Sequence, residues 1–178
     1  MLTSRINDME ATMRRVAARG VDFNPDELFL LKTLVLAGRA IAEIQEEALR
    51  PFGLNESEHK VLVQLFAQPD GVGHPGDLCS GSHQSPANMT RITDSLVARE
   101  LISRLADAQD RRRQVLRITP AGEALIRRAA PIVYAPLRHL LGEIPRKERD
   151  SLQSQLRHII AAIDAVQTAA PVAAGARS

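Results

Sequence analysis

The side chains best equipped for recognition chemistry gather between Ser85 and Gly122. A first set, Ser85, Pro86, Asn88, Thr90 and Arg91, places hydroxyl, amide and guanidinium groups close together. Such groups read base edges: Asn can pair twice with adenine and Arg twice with guanine, each on the order of 1–3 kcal/mol of discrimination. A second set, Asp107, Asp110, Arg111, Arg112 and Arg113, crowds three adjacent guanidinium groups into a polar turn. Guanidinium groups there suit phosphates or a minor groove. Across the whole stretch seven arginines stand against four carboxylates, a surplus of three, while the entire chain carries only +2. Charge gathered in one place points to nucleic acid more than total charge does. Two bland alternatives stay open. Adjacent arginines also suit a solvated turn, and Arg91 can instead pair with Asp110 and brace it.

Other chemistries find little support. The five histidines, His59, His74, His83, His139 and His158, lack zinc-ligand spacing, and there is no HExxH. A single cysteine, Cys79, excludes an internal disulfide and a CxxC site, and reads as small core filler. No phosphate-binding or nucleophile-elbow glycine motif occurs, and Glu46-Glu47 falls on a solvated helix end. The expectation is therefore no catalytic residues, no metal, no cofactor and no enzymatic activity. With aromatics at 3% and no Trp, base stacking on single strands is also disfavoured.

The surrounding elements explain how the two sets are held. Ser85 caps a helix with Pro86 at its first position. Met89, Ile92, Leu96 and Val97 turn inward, leaving Asn88, Thr90, Arg91 and Ser95 to other faces. Leu101–Leu105 and Gln114–Ile118 read as strands on either side of the arginine turn. A helix followed by a two-stranded ribbon with a cationic tip is a winged helix-turn-helix, the helix sized for a major groove.

Before it, Ile6, Met9, Met13 and Val16 mark a short helix ending near Gly20, packed on its own domain or widening a dimer interface. Asn24-Pro25 opens a long helix to about Arg50 whose apolar residues, among them Leu28, Leu31, Leu34 and Ile41, are too many for one neighbour. Asn55–Glu58 caps a helix carrying Val61, Leu62, Leu65 and Phe66, and a weak helix runs through Asp77, Leu78 and Cys79. Thr119-Pro120 caps another long helix, which Pro131 and Pro136 are expected to bend or break. Leu152, Leu156, Ile159, Ile160, Ile163 and Val166 form the stripe of the last one.

The fold expected is mainly α with a small β wing, a winged helix-turn-helix DNA-binding module plus a helical dimerisation region. It is a single domain over 1–178, with dimer helices in 1–50 and 123–167, the module in 54–122, and a disordered tail at 168–178. The charged N-terminus is not a signal peptide, and the apolar run around Leu28–Ala37 is too short to span a membrane. The expected location is bacterial cytoplasm, with the protein on the nucleoid when bound to DNA.

Two motifs resemble the MarR family of transcription regulators. D-x-x-D-R-R-x-x-x-L-x-I-T-x-x-G, here Asp107, Asp110, Arg111, Arg112, Leu116, Ile118, Thr119 and Gly122, resembles that family's wing. The run containing Ser85, Thr90, Arg91, Ile92, Asp94 and Leu96 resembles its recognition helix. The chain departs from the pattern at Ser82 and His83, where relatives place a large apolar residue and a glycine. Asp22-Phe23, Leu54-Asn55-Glu56 and the Asn88–Asp94 run resemble the EmrR-like branch, which represses multidrug efflux pumps. The resemblance implies a homodimer that represses from a pseudo-palindromic double-stranded operator. The groove-facing set is Ser85, Asn88, Thr90 and Arg91, with Pro86 counted among the DNA-binding residues. Arg112 would enter the minor groove, with Arg111 and Arg113 on phosphates or solvated and Asp110 a further DNA-binding candidate. It also implies release by a small aromatic or lipophilic effector, with His59, Thr90 and Arg104 as ligand candidates; His59 equally suits a partly exposed helix position. The alternative is a winged-helix protein-interaction module or a non-specific nucleoid binder.

Overall fold

In the computed structural model, which describes residues 1–106 and 114–169, the chain begins with α1 (Leu2–Ala17) packed along α2 (Pro25–Leu49). Ile6, Met9 and Met13 of α1 are half-buried, while Val16 is exposed. The expected caps are in place. Asn24 Oδ1 accepts from the amides of Asp26 (3.0 Å) and Glu27 (3.4 Å). Asn55 and Glu58 form a reciprocal capping box at the start of α3 (Glu56–Ala67), with bonds of 2.8 and 3.2 Å. These contacts satisfy amides that a helix start otherwise leaves without partners.

A two-residue strand, β1 (Val72–Gly73), then leads to α4 (Pro75–Ser82) and α5 (Pro86–Ala98). The two residues of β1 are too few for any alternation to register, so sequence pattern alone reads the stretch as loop. β2 (Ile102–Ala106) and β3 (Gln114–Ile118) pair antiparallel, Ile102 opposite Ile118 and Ala106 opposite Gln114. β1 joins the other side of β3, giving the order β1-β3-β2. The turn between β2 and β3, with Asp107, Asp110, Arg111, Arg112 and Arg113, lies outside the described residues.

The core is built by Val61, Leu62 and Leu65 of α3, Met89, Ile92 and Leu96 of α5, and Ile102 and Leu116 of the strands. Each such side chain contributes about 1.5–3 kcal/mol on burial, so α5 is anchored firmly by its inner face. Ile126, Ala129 and Val133 of α6 (Pro120–Gly142) join the same core.

Neither proline ends α6: both Pro131 and Pro136 lie within it. At Pro131, which is exposed, the buried Ala129 and Val133 hold the flanking turns in place. Packing there outweighs the lost backbone hydrogen bond, which leaves only the solvent side free to curve.

The chain divides into two compact units, Met1–Tyr134 and the stretch from Ala135 onward. In the second, α7 (Arg146–Ala169) exposes Leu152, Ile160, Ile163 and Val166 and half-buries Leu156 and Ile159. The helix includes Thr168 and Ala169, which had been assigned to a disordered tail; residues 170–178 lie outside the described residues. In the first unit, Leu30, Leu31, Val35 and Ile41 of α2 are likewise exposed. Among the described residues, no helix is long and apolar enough to cross a membrane.

Candidate nucleic-acid interface

The α4–α5 pair forms the helix-turn-helix, and its turn shows how the chain copes with its departure from pattern. His83 takes a left-handed backbone, φ 54° and ψ 41°, at the end of α4. A side chain in that region is strained relative to glycine. Ser82, which is buried, returns its hydroxyl to the Leu78 carbonyl at 2.5 Å. The weak helix expected through Asp77, Leu78 and Cys79 is formed and closed over eight residues.

α5 presents Ser85, Pro86, Thr90 and Arg91 as exposed residues, with Asn88 half-buried beside them. Ser85 Oγ caps the helix by accepting from the Asn88 amide (3.3 Å). The Thr90 hydroxyl donates to the Pro86 carbonyl (3.0 Å). Arg91 donates from Nε (3.2 Å) and Nη2 (3.0 Å) to Asn88 Oδ1. The Asn88 amide nitrogen in turn donates to Gln84 Oε1. Gln84 went unremarked in the sequence. Its partners, Ser57 Oγ at 3.3 Å and Asn88, come from two different helices.

The arginine surplus of the stretch does not all face one way. Arg99 turns toward the segment that joins α2 to α3, donating to the carbonyls of Gly53 (2.8 Å) and Phe52 (3.2 Å) and approaching Glu58 (3.5 Å). Glu58, itself buried, also accepts from Ser95 Oγ at 2.6 Å, which ties the start of α3 to α5. Arg104 of β2 donates to Thr93 Oγ1 (3.2 Å) and pairs with Asp94. Arg91 and Arg117 have no carboxylate partner among the described residues and are exposed.

The three ligand candidates separate into two cavities. Thr90 and Arg104 line a cavity of about 590 Å³ between α4, α5 and the sheet, with Met89, Cys79 and Leu116 supplying apolar wall. Cys79 is thus half-buried at a cavity wall, not sealed in the core. His59 lies in a smaller cavity of about 260 Å³, lined also by Leu49, Gln64 and Tyr134. It is buried at 7% exposure, not partly exposed, and its ring stands 6.3 Å from that of Tyr134. Its Nε2 and Gln64 Oε1 are buried without a hydrogen-bond partner among the described residues. Burial holds the His59 pKa below its ordinary value, against a weaker upward pull from Glu56. Among the described residues no His, Cys, Asp and Glu group is arranged to hold a metal ion.

The model of the MarR family matches residues 54–113, which run from just before α3 to the residue preceding β3. Over 93% of this chain and 94% of its own, the transcriptional repressor MprA of Escherichia coli is 26% identical. The stretch matched by the family model and the similarity to MprA both point to the MarR family. Proteins of that family are transcription regulators, not enzymes. Two solved structures share the fold. Sco3205 of Streptomyces coelicolor, a MarR-family regulator solved in complex with DNA, aligns at TM-score 0.73 and 18% identity, over 79% of this chain and 89% of its own. CouR of Rhodococcus jostii RHA1, bound to p-coumaroyl-CoA, aligns at TM-score 0.64 and 26% identity, over 75% and 91%.

Proposed function

We propose that this regulator is a homodimeric repressor that reads a pseudo-palindromic operator and leaves it when a small aromatic or lipophilic compound binds. The observation that carries the reading is the outer face of α5. Ser85, Pro86, Thr90 and Arg91 stand clear of a core that grips the opposite face. Paired copies would set two such helices into successive major grooves, roughly 34 Å apart. Arg112 would reach a minor groove, with Asp110 beside it and Arg111 and Arg113 on phosphates. The exposed apolar residues of α2 and α7 supply the surface for pairing. A cytoplasmic site of action and efflux or aromatic-stress target genes accompany this reading through the family resemblance.

For the effector, the 590 Å³ cavity favours Thr90 and Arg104 over His59. It falls within the range of roughly 300–1,000 Å³ usual for small-molecule sites, whereas the His59 cavity falls below it. Its apolar walls suit an aromatic ring, and an anionic group on the ligand would compete with Asp94 for Arg104. Because Thr90 belongs to the reading face, a ligand there alters the surface that meets DNA. A few kcal/mol of preference for the DNA-incompetent state suffices for release.

Titrating phenolic compounds into a complex with labelled genomic fragments tests this, with light scattering to follow the dimer. Release without dissociation of the dimer is expected. No displacement by any compound would leave a constitutive repressor. An affinity ratio near one between selected and random DNA would favour a nucleoid-type binder, and no DNA binding a protein-interaction module.

A further inference from the structure

We propose that Gln84 is a positioning residue for base recognition, and that Asn88 holds Arg91 in place for a guanine instead of reading a base itself. The inference rests on the operator-reading function above and sharpens it to one base pair in each half-site. Four side chains form a relay: Ser57 Oγ, Gln84, Asn88 and Arg91. Its polarity is fixed at both ends. Arg91 can only donate, so Asn88 must turn its oxygen to Arg91 and its nitrogen to Gln84. At the other end Gln84 Nε2 faces the Ser82 carbonyl (3.4 Å), which can only accept, so the Gln84 oxygen must face Asn88. Neither amide can be flipped without setting donor against donor or acceptor against acceptor.

The consequence lies in which edge of Arg91 remains. Both bonds to Asn88 use the Nε–Nη2 edge, at 3.2 and 3.0 Å. The terminal Nη1–Nη2 edge keeps its outward N–H groups, on a residue that is exposed. Two parallel donors match the two acceptors, O6 and N7, that guanine shows in the major groove. Asn88 could pair twice with adenine only by releasing both Arg91 and Gln84. Gln84 is half-buried, anchored to Ser57 of α3, and outside the exposed face. It therefore acts on DNA through its neighbours.

The test selects duplexes from a randomised pool with the full-length wild-type chain. Dissociation constants are then measured for the enriched duplex and each single-base-pair variant at fixed salt. Arg91→Ala is expected to abolish discrimination at one G·C pair per half-site. Asn88→Ala and Gln84→Ala should each weaken discrimination at that same pair by about tenfold, and the double variant no further than either alone. A general structural defect would instead lower affinity for every duplex and add to the effect of Asn88→Ala. Should Gln84→Ala fold poorly, Ser57→Ala removes the far anchor and is expected to give a smaller loss at the same pair. Wild-type discrimination in Gln84→Ala and Ser57→Ala overturns the relay. So does a loss in Asn88→Ala that falls on a different, A·T pair. Enrichment of no duplex by the wild-type chain overturns the operator reading itself, and the two failures are thereby told apart.

Discussion

Gly122 shows how a motif glycine can be required in a helix where alanine has the better propensity. It lies in the first turn of α6, and its amide donates to Thr119 Oγ1 at 3.1 Å. A Cβ placed there would overlap the Leu101 carbonyl oxygen and stand 2.9 Å from Ile118 Cγ1. That oxygen cannot swing aside cheaply, because it accepts from the Thr119 amide (3.1 Å) and hydroxyl (3.1 Å). Gly122→Ala gains about 1 kcal/mol of helix propensity. Against this stand overpacking at about 1–3 kcal/mol and weakened bonds at Leu101 at about 1 kcal/mol. The clash should win by about 2 kcal/mol, lowering the melting temperature by roughly 4–8 °C. Thermal unfolding at fixed protein concentration measures it, since self-association would otherwise shift the midpoint. Gly76→Ala is the control: that residue is also helical but a Cβ meets nothing within 4 Å, so no loss is expected. A Gly122→Ala midpoint equal to or above wild type would refute the steric reasoning.

Three further outcomes are expected. Glu58→Ala removes the acceptor of Asn55 N and Ser95 Oγ and the neighbour of Arg99, and should cost about 2–4 kcal/mol in urea titrations. His59 is neutral in the fold because burial lowers its pKa, so the unfolded chain takes up a proton first as pH falls. The stability it contributes is complete above about pH 6.5 and declines below that toward its folded pKa; His59→Phe should flatten this limb in denaturation series between about pH 8 and pH 5. Arg112→Ala should weaken operator binding severely in gel shifts while leaving the dimer intact in sedimentation; unchanged binding would remove Arg112 from the minor groove.

Local chemistry was the most legible part of the chain. Asn24, Asn55, Ser85 and Thr119 announced helix starts because a cap needs only its own next three residues. Met89, Ile92 and Leu96 announced the inner face of α5 for the same local reason. What escaped was set by distant partners. Ser57 and Gln84 are 27 residues apart and meet only through the packing of α3 beside the turn. His59 looked like a half-exposed residue next to a charged Lys60, but α3 is covered on more than one side, and the ring is enclosed by α2 and Tyr134. Arg99 was counted with the cationic surface because charge can be summed along a sequence while direction cannot.

The direction taken by Arg99 bears on how pairing and reading are connected. By the rise of 1.5 Å per residue α2 is about 37 Å long, yet Leu49, at its very end, is its only fully buried residue among those described. The helix that exposes Leu30, Leu31, Val35 and Ile41 is thus held in the core mainly at one end. The turn following that end, Arg50–Phe52, is gripped by Arg99, the residue that closes α5. Glu58 secures the same corner by bonding Ser95 of α5. A rod fastened at one end transmits a small rotation there as a large displacement along its length. If α2 is where two copies meet, the corner of Leu49, Phe52, Glu58 and Arg99 sets the spacing of the two reading helices. On that arrangement, a ligand that altered DNA affinity without parting the two copies would have to change the geometry of this corner or of α5 itself. The 590 Å³ cavity touches α5, whereas the His59 cavity touches Leu49, so the two cavities address the two ends of the same linkage.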